Sequence, residues 1–126
     1  MKLRLTHNSV RIRIRKSELE ELARGANLME SIEMPDGHGF QFGLTTEDIE
    51  KIGVTIKDHT LTVSLPKKEA NNWIKTDQVG IEKELSLKND QRLHVLIEKD
   101  FPCKDREGED KSDTFWELAQ SNDELC

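Results

Sequence analysis

The chain has 126 residues, of which 34% are hydrophobic and 35% are charged, and its formal net charge is −6. This length suits one domain, and the low apolar content predicts a small core beside a segment that does not pack. No apolar run approaches the roughly 18 residues of a membrane-spanning helix, and the first residues lack the apolar stretch of a signal peptide. We therefore expect a cytoplasmic protein with no membrane partner.

The net charge is concentrated at the C-terminus. Residues 1–99 contain 16 basic and 16 acidic side chains, whereas residues 100–126 contain three basic and nine acidic ones. No apolar side chain occurs in residues 104–114. The chain is therefore predicted to consist of one domain at 1–100 and an acidic, largely disordered tail at 101–126. A domain without net positive charge argues against nucleic-acid binding.

The first half of the chain predicts a hairpin, a helix and two further strands. Alternating apolar and polar residues predict strands at 1–6, 9–15, 27–34 and 39–45, because a period of two places successive side chains on opposite faces. His7-Asn8 is the expected two-residue loop of the first hairpin, since asparagine tolerates a positive φ. Ser17 and Glu20 form a capping box that predicts the start of the first helix.

The second half predicts the same order of elements. Strands are expected at 53–58, 60–65, 79–88 and 92–99. Pro66 opens the second helix, where its missing N–H costs nothing, and this helix extends through Ile74. Each half therefore contains one short helix.

The two halves also align as an internal repeat. Residues 10–34 align with 61–85 at an offset of 51, and a two-residue shift then aligns 40–44 with 93–97. One copy has too little apolar area to fold alone, so the two should share a core. We predict an α+β fold of duplicated β-α-β-β units. Its strands should form a mainly antiparallel sheet or a closed barrel, with both helices outside.

Basic side chains follow the first two predicted strands, and we call them the basic stripe. They are Lys2, Arg4, Arg11, Arg13 and Arg15. The opposite face carries Leu3, Leu5, Val10, Ile12 and Ile14, which should point into the core. The expected hairpin places Arg4 opposite Arg11 and Lys2 opposite Arg13, and like charges in such positions are destabilising.

Two alternatives could neutralise the basic stripe. The first is internal pairing with carboxylates on other predicted strands, for which the candidates are Glu30, Glu33, Glu82, Glu84 and Glu98. The second is a bound anion such as phosphate or polyphosphate, since arginine presents a bidentate fork. The basic stripe is therefore the candidate anion-binding site.

Other residue types give no catalytic, metal or cofactor site. The four histidines (His7, His38, His59 and His94) lack metal-ligand spacing. Cys103 has mostly acidic neighbours, whereas a nucleophilic cysteine needs an electropositive setting, and two late cysteines do not form a disulfide framework.

The segments at 1–14 and 97–103 resemble those of a family of small uncharacterised bacterial proteins. The first contains Met1-Lys2-Leu3-Arg4-Leu5, and the second is Ile97-Glu98-Lys99-Asp100-Phe101-Pro102-Cys103. The resemblance covers nearly the whole chain, and it implies no particular activity.

The duplicated eight-strand pattern is also similar to that of the CYTH-like triphosphate tunnels. That resemblance implies a closed eight-stranded antiparallel barrel that binds phosphate or polyphosphate, in some members as a phosphohydrolase. Its catalytic members carry a Glu-x-Glu-x-Lys strand, and Glu82-Lys83-Glu84-Leu85-Ser86 lacks the lysine.

A third resemblance is to the swapped hairpins of AbrB/MazE-type regulators. The segments Asn8 to Lys16 and Leu61 to Glu69 are similar to the first strand and helix start of that fold. This resemblance implies an intertwined dimer that binds DNA through basic strand faces.

Among these classes we favour a non-enzymatic binding or interaction domain, as a monomer or a homodimer. The alternatives are an anion-binding CYTH-like barrel and an AbrB/MazE-like DNA-binding regulator.

Overall fold

The computed structural model of the protein describes residues 1–100, which form an α+β domain as the sequence predicts. The strands are β1 (Lys2–Thr6), β2 (Ser9–Ile14), β3 (Leu28–Glu33), β4 (Gly39–Glu47), β5 (Gly53–Lys57), β6 (Thr60–Pro66), β7 (Gly80–Ser86) and β8 (Arg92–Lys99). The α-helices are α1 (Lys16–Ala23) and α2 (Lys67–Lys75), and a 3-10 turn at Lys88–Asp90 precedes β8. The expected disordered tail at 101–126 lies outside the described residues.

The strands form two open sheets of four strands each. Sheet A has the order β1-β2-β8-β7, and sheet B has the order β3-β4-β6-β5. In each sheet the outer pairs are antiparallel, whereas the central pairs β2–β8 and β4–β6 are parallel. The expectation of a closed barrel is therefore wrong. The burial pattern gives the reason, because the four edge strands carry few buried side chains and the central strands carry most of them.

The duplication appears as two units that exchange hairpins. The first copy is β1-β2-α1-β3-β4 and the second is β5-β6-α2-β7-β8. Sheet A joins the first hairpin of the first copy to the last hairpin of the second, and sheet B joins the remaining two. The two units are therefore interleaved within one chain.

Strand registers show where the two copies correspond. Ile12 pairs with Ile97 in sheet A, and Val63 pairs with Leu44 in sheet B, so the offset is 51 before the helices and 53 in the last strands. The offset is already 53 in β3 and β7, because Leu28 lies opposite Leu44 as Ile81 lies opposite Ile97. The two-residue shift thus precedes β3 and β7, whereas the sequence alignment placed it after residue 34.

One hydrophobic core unites both sheets and both helices. Its fully buried side chains include Ile12 and Ile97 of sheet A, Leu44 of sheet B and Trp73 of α2. The indole Nε1 of Trp73 donates a hydrogen bond to the Val79 carbonyl at 3.0 Å, which satisfies the polar atom of a buried ring. Neither helix of the described domain is long and apolar enough to cross a membrane.

Short polar residues close the first hairpin of each copy. His7-Asn8 joins β1 to β2, with Asn8 at a φ of 60°, so the predicted loop is confirmed. Asp58-His59 joins β5 to β6, with φ values of 50° and 62°. Such tight turns need positive φ, which Asn and Asp tolerate better than most residues.

The start of α1 differs from the sequence prediction. Arg15 is its N-cap residue, so the capping box predicted at Ser17 and Glu20 is wrong. Instead Glu18 Oε1 accepts the backbone N–H of Arg15 at 2.9 Å, and Glu18 Oε2 lies 2.7 Å from the α-amino group of Met1. Burial raises the pKa of Glu18, but these contacts outweigh burial and hold the pKa below its ordinary value of 4.5.

Candidate functional site

The outer face of sheet A collects most of the basic stripe into a regular grid. The three rows across β1, β2, β8 and β7 are Lys2-Arg13-Glu98-Gly80, Arg4-Arg11-Leu96-Glu82 and Thr6-Ser9-His94-Glu84. We call these rows the outer face of sheet A. The registers place Arg4 opposite Arg11 and Lys2 opposite Arg13, as the hairpin loop predicts.

Glu98 lies at the centre of this face and is only 5% exposed. Its Oε1 atom accepts hydrogen bonds from Arg11, whose Nη2 is 2.7 Å away, and from Arg13, whose Nε is 2.6 Å away. Internal pairing is therefore observed for these two arginines. A single carboxylate therefore contacts both guanidinium groups, and Arg13 has a further interaction within the protein.

The other residues of the basic stripe have different surroundings. Lys2 Nζ lies 3.4 Å from Asp100 Oδ2. Arg15 lies beyond the end of β2, at the N-cap of α1, and its Nε is 3.4 Å from Glu18 Oε1. The structure therefore brings four of the five predicted residues to one face and separates Arg15 from them.

Arg4 is the basic side chain of this face for which residues 1–100 provide no ion-pair partner. It is exposed, and no carboxylate within residues 1–100 forms an ion pair with it. It borders a depression of about 230 Å³ that is also lined by Arg11, Thr6, Ser9 and His94. An unpaired guanidinium thus faces a concave surface that carries a second arginine.

The β7–β8 side of the face carries two cross-strand pairs. His94 Nε2 lies 2.5 Å from Glu82 Oε1, and Arg92 Nη1 lies 3.0 Å from Glu84 Oε2. Both glutamates of β7 are therefore paired within the sheet, whereas Arg4 on β1 has no ion-pair partner within residues 1–100.

The apolar side of the same hairpin follows the prediction with one exception. Val10, Ile12 and Ile14 are buried, and Leu3 packs against the core. Leu5 is 55% exposed, so its predicted core position is wrong. Its counterpart Ile56 in the second copy is 74% exposed, which shows that this position next to the hairpin loop lies beyond the core in both sheets.

Sheet B provides an internal comparison for five charged residues of this face. The positions that correspond to Lys2, Arg4, Arg11, Arg13 and Glu98 hold Gly53, Thr55, Thr62, Ser64 and Thr45. Thr45 Oγ1 donates to Ser64 Oγ at 3.2 Å, in the place where Glu98 contacts Arg13. The same cross-strand contact is therefore made by neutral hydroxyl groups in one sheet and by ions in the other.

The basic side chains of the site were predictable from the sequence, but the residues that surround them were not. His94, Thr6 and Ser9 were not singled out as ligands, and Glu98 was one candidate among several carboxylates. The internal repeat could have identified Glu98, because an alignment extended through the last strands compares the charged residues of sheet A with neutral residues in sheet B. Within residues 1–100, no group of three or more histidine, cysteine or acidic side chains is arranged to hold a metal ion.

Comparison with known proteins places the chain in a family without assigning it an activity. No curated protein and no solved structure matches it. A model described as a family of unknown function, DUF7009, matches residues 1–118 and therefore spans the entire described domain. The resemblance to an uncharacterised family is thus confirmed, whereas the open sheets do not form the tunnel of CYTH-like proteins. The chain belongs to the DUF7009 family of unknown function.

Proposed function

We propose that the protein is a non-enzymatic binding domain that contacts its partner through the outer face of sheet A. The main support is that the two repeated halves of the chain differ in charge at equivalent positions of sheets A and B. Sheet B forms the same strand pairs with glycine, serine and threonine where sheet A has lysine, arginine and glutamate. The charged side chains are therefore not needed to form the sheet.

The energetic cost of these charges supports a role in binding. Removing an ion pair from water carries a desolvation penalty that its attraction often fails to exceed. Glu98 is almost fully buried, and Arg11 and Arg13 converge on it, whereas a hydroxyl pair satisfies the same position in sheet B. Sheet B thus forms without ions at these positions. Their presence in sheet A supports the recognition of a charged partner.

The arrangement of charge indicates what such a partner presents. An anionic group would fit the β1–β2 side, where Arg4 is exposed and has no ion-pair partner among residues 1–100. The β7 side offers less free charge, because Glu82 and Glu84 are already paired with His94 and Arg92. Complementary charge of this kind fixes orientation and excludes wrong partners more than it raises affinity.

A titration followed by amide NMR tests this proposal. We expect a short poly-aspartate peptide to shift the signals of β1, β2 and β8 and to leave those of β5 and β6 unchanged. The corresponding face of sheet B, which has neutral residues in place of the arginines and Glu98 and carries Lys57 next to its hairpin loop, is the matched control within the same molecule. Equal shifts on both sheets, or shifts that are absent from sheet A, would contradict the proposal.

A DNA-binding regulator is the second candidate, and the exchange of hairpins between the copies favours it. That topology is what the AbrB/MazE resemblance implies, here within one chain instead of between two. The acidic side chains on the same face argue against it. If DNA binds, the logarithm of its affinity should fall with the logarithm of salt concentration by about 0.9 per phosphate contact. Binding to duplex DNA with no salt dependence, or no binding at low salt, would exclude this candidate.

A further inference from the structure

We infer that the depression on the outer face of sheet A binds a phosphoryl group, with Arg4 and Arg11 as its principal ligands. This inference rests on the proposed binding function and specifies the chemistry of the ligand. Three observations support it: the two arginines lie side by side, Arg11 keeps N–H donors that do not contact Glu98, and the surface between the arginines is concave.

The first step is the relation between the two guanidinium groups. Arg4 and Arg11 are direct partners on adjacent antiparallel strands, so their side chains leave the same face side by side. Like charges in such positions are destabilising. Glu98 contacts Arg11 and Arg13, but it does not pair with Arg4. A dianion between Arg4 and Arg11 would relieve this repulsion.

The second step concerns the donors that remain on Arg11. Its Nε and Nη2 are directed to Glu98 Oε1, at 2.9 and 2.7 Å. A guanidinium has five N–H donors, so Nη1 remains for another acceptor. Glu98 thus holds the side chain of Arg11 in place and leaves part of its fork available. A ligand group that is held in advance loses less conformational entropy on binding.

The third step is the size and lining of the depression. Its volume of about 230 Å³ is below the roughly 300–1,000 Å³ of clefts that enclose drug-sized ligands. It therefore suits one group of a ligand instead of a whole molecule. Its lining consists of Arg4, Thr6, Ser9, Val10, Arg11, His94 and Leu96. No carboxylate is part of this lining, although Glu82 contacts the His94 ring at its Nε2 atom. Arg4, together with the part of the Arg11 charge that the shared Glu98 leaves uncompensated, would attract a phosphate monoester, whose charge is about −1.5 to −2.

Calorimetric titration with inorganic phosphate and with O-phosphoserine tests the inference. Both probes should bind the full chain, and Arg4→Ala should weaken them by roughly tenfold or more, as loss of a charge-assisted hydrogen bond predicts. Arg4→Ala should fold as well as the wild type, because Arg4 is exposed and pairs with no carboxylate of the described domain. Tighter binding of phosphoserine than of phosphate would support an esterified phosphoryl group, and the reverse would support the free ion.

Lys57→Ala is the matched control. Lys57 lies at the end of β5, on the corresponding hairpin of sheet B, and the substitution removes one positive charge without touching the depression. We expect it to bind both probes as the wild type does. Absence of binding to the wild type, unchanged affinity in Arg4→Ala, or an equal loss in Lys57→Ala would overturn the phosphoryl site. If poly-aspartate still shifts the signals of sheet A in that case, the proposed binding face stands and its phosphoryl ligand is wrong.

Discussion

Glu98 is the residue on which the charged side of the domain depends. Glu98→Gln would leave Arg11 and Arg13 without their shared carboxylate, and we expect a loss of about 1–3 kcal/mol in the free energy of unfolding. Thr45→Val removes the corresponding neutral hydrogen bond in sheet B and should cost less than about 1 kcal/mol. Urea unfolding of both variants measures the two losses, and equal losses would contradict the special role of Glu98.

Glu18 should make stability depend on pH in the acid range. Its pKa is lowered in the folded protein, so its carboxylate stabilises the fold above its unfolded pKa and loses that effect as pH falls through the folded value. The unfolding free energies of wild type and Glu18→Gln should therefore differ most near pH 6 and converge well below pH 4.5. Glu21→Gln, an exposed change on the same helix, is the control. A difference that is constant with pH would contradict this assignment.

At the scale of elements, α2 depends on one buried ring. Trp73 is fully buried, and its indole satisfies the Val79 carbonyl. Trp73→Leu, which introduces the residue type of the equivalent position Leu22, should create a cavity and cost about 2–4 kcal/mol. The volume-conserving change Leu22→Met in α1 should cost less than about 1.5 kcal/mol. Thermal unfolding compares the two, and a Trp73→Leu variant as stable as wild type would show that the ring does not anchor α2.

Local pattern predicts the elements better than their pairing. The alternation around Ile12 and the loop at His7-Asn8 are encoded within a few residues, so both were predictable. The parallel partner of β2 is β8, whose Glu98 is 85 positions from Arg13, and no local signal specifies it. A strand that alternates apolar and polar residues is compatible with either a barrel or an open sheet. The exchange of hairpins between the two copies produces two open sheets.

The same distinction applies to the candidate site. Period-two alternation placed Arg4 and Arg11 on one polar face, which the strand register reproduces. Arg15 was assigned to this face because the pattern continues through it, but the helix begins there instead. Which arginine remains unpaired depends on Glu98, and that contact exists only once the two copies have interleaved.

At the scale of the whole molecule, neither copy should fold alone as a monomer. Each sheet needs one hairpin from each copy, so a chain cut between β4 and β5 leaves both fragments with unpaired central strands. We expect fragments 1–48 and 49–126 to be unstructured or self-associated when separate, and to recover the native circular dichroism spectrum when mixed in equal amounts. A folded monomer of either fragment, shown by sedimentation, would contradict the interleaved fold.

The central claim is that the charges on the outer face of sheet A serve binding and not folding. Its most direct test transplants the neutral residues of sheet B onto sheet A, in a variant with Arg4→Thr, Arg11→Thr, Arg13→Ser and Glu98→Thr. Replacing all four together removes Glu98 along with the two arginines that contact it, so neither side of that shared ion pair is left behind, and we expect the fold to persist.

One amide NMR titration of this variant with inorganic phosphate shows both whether the variant folds and whether it binds phosphate. We predict a dispersed spectrum like that of the wild type, with no shift of the β1, β2 and β8 signals as phosphate is added. A collapsed spectrum would show that the charges are required for folding. A folded variant that still binds phosphate at these strands would show that the arginines do not form the site.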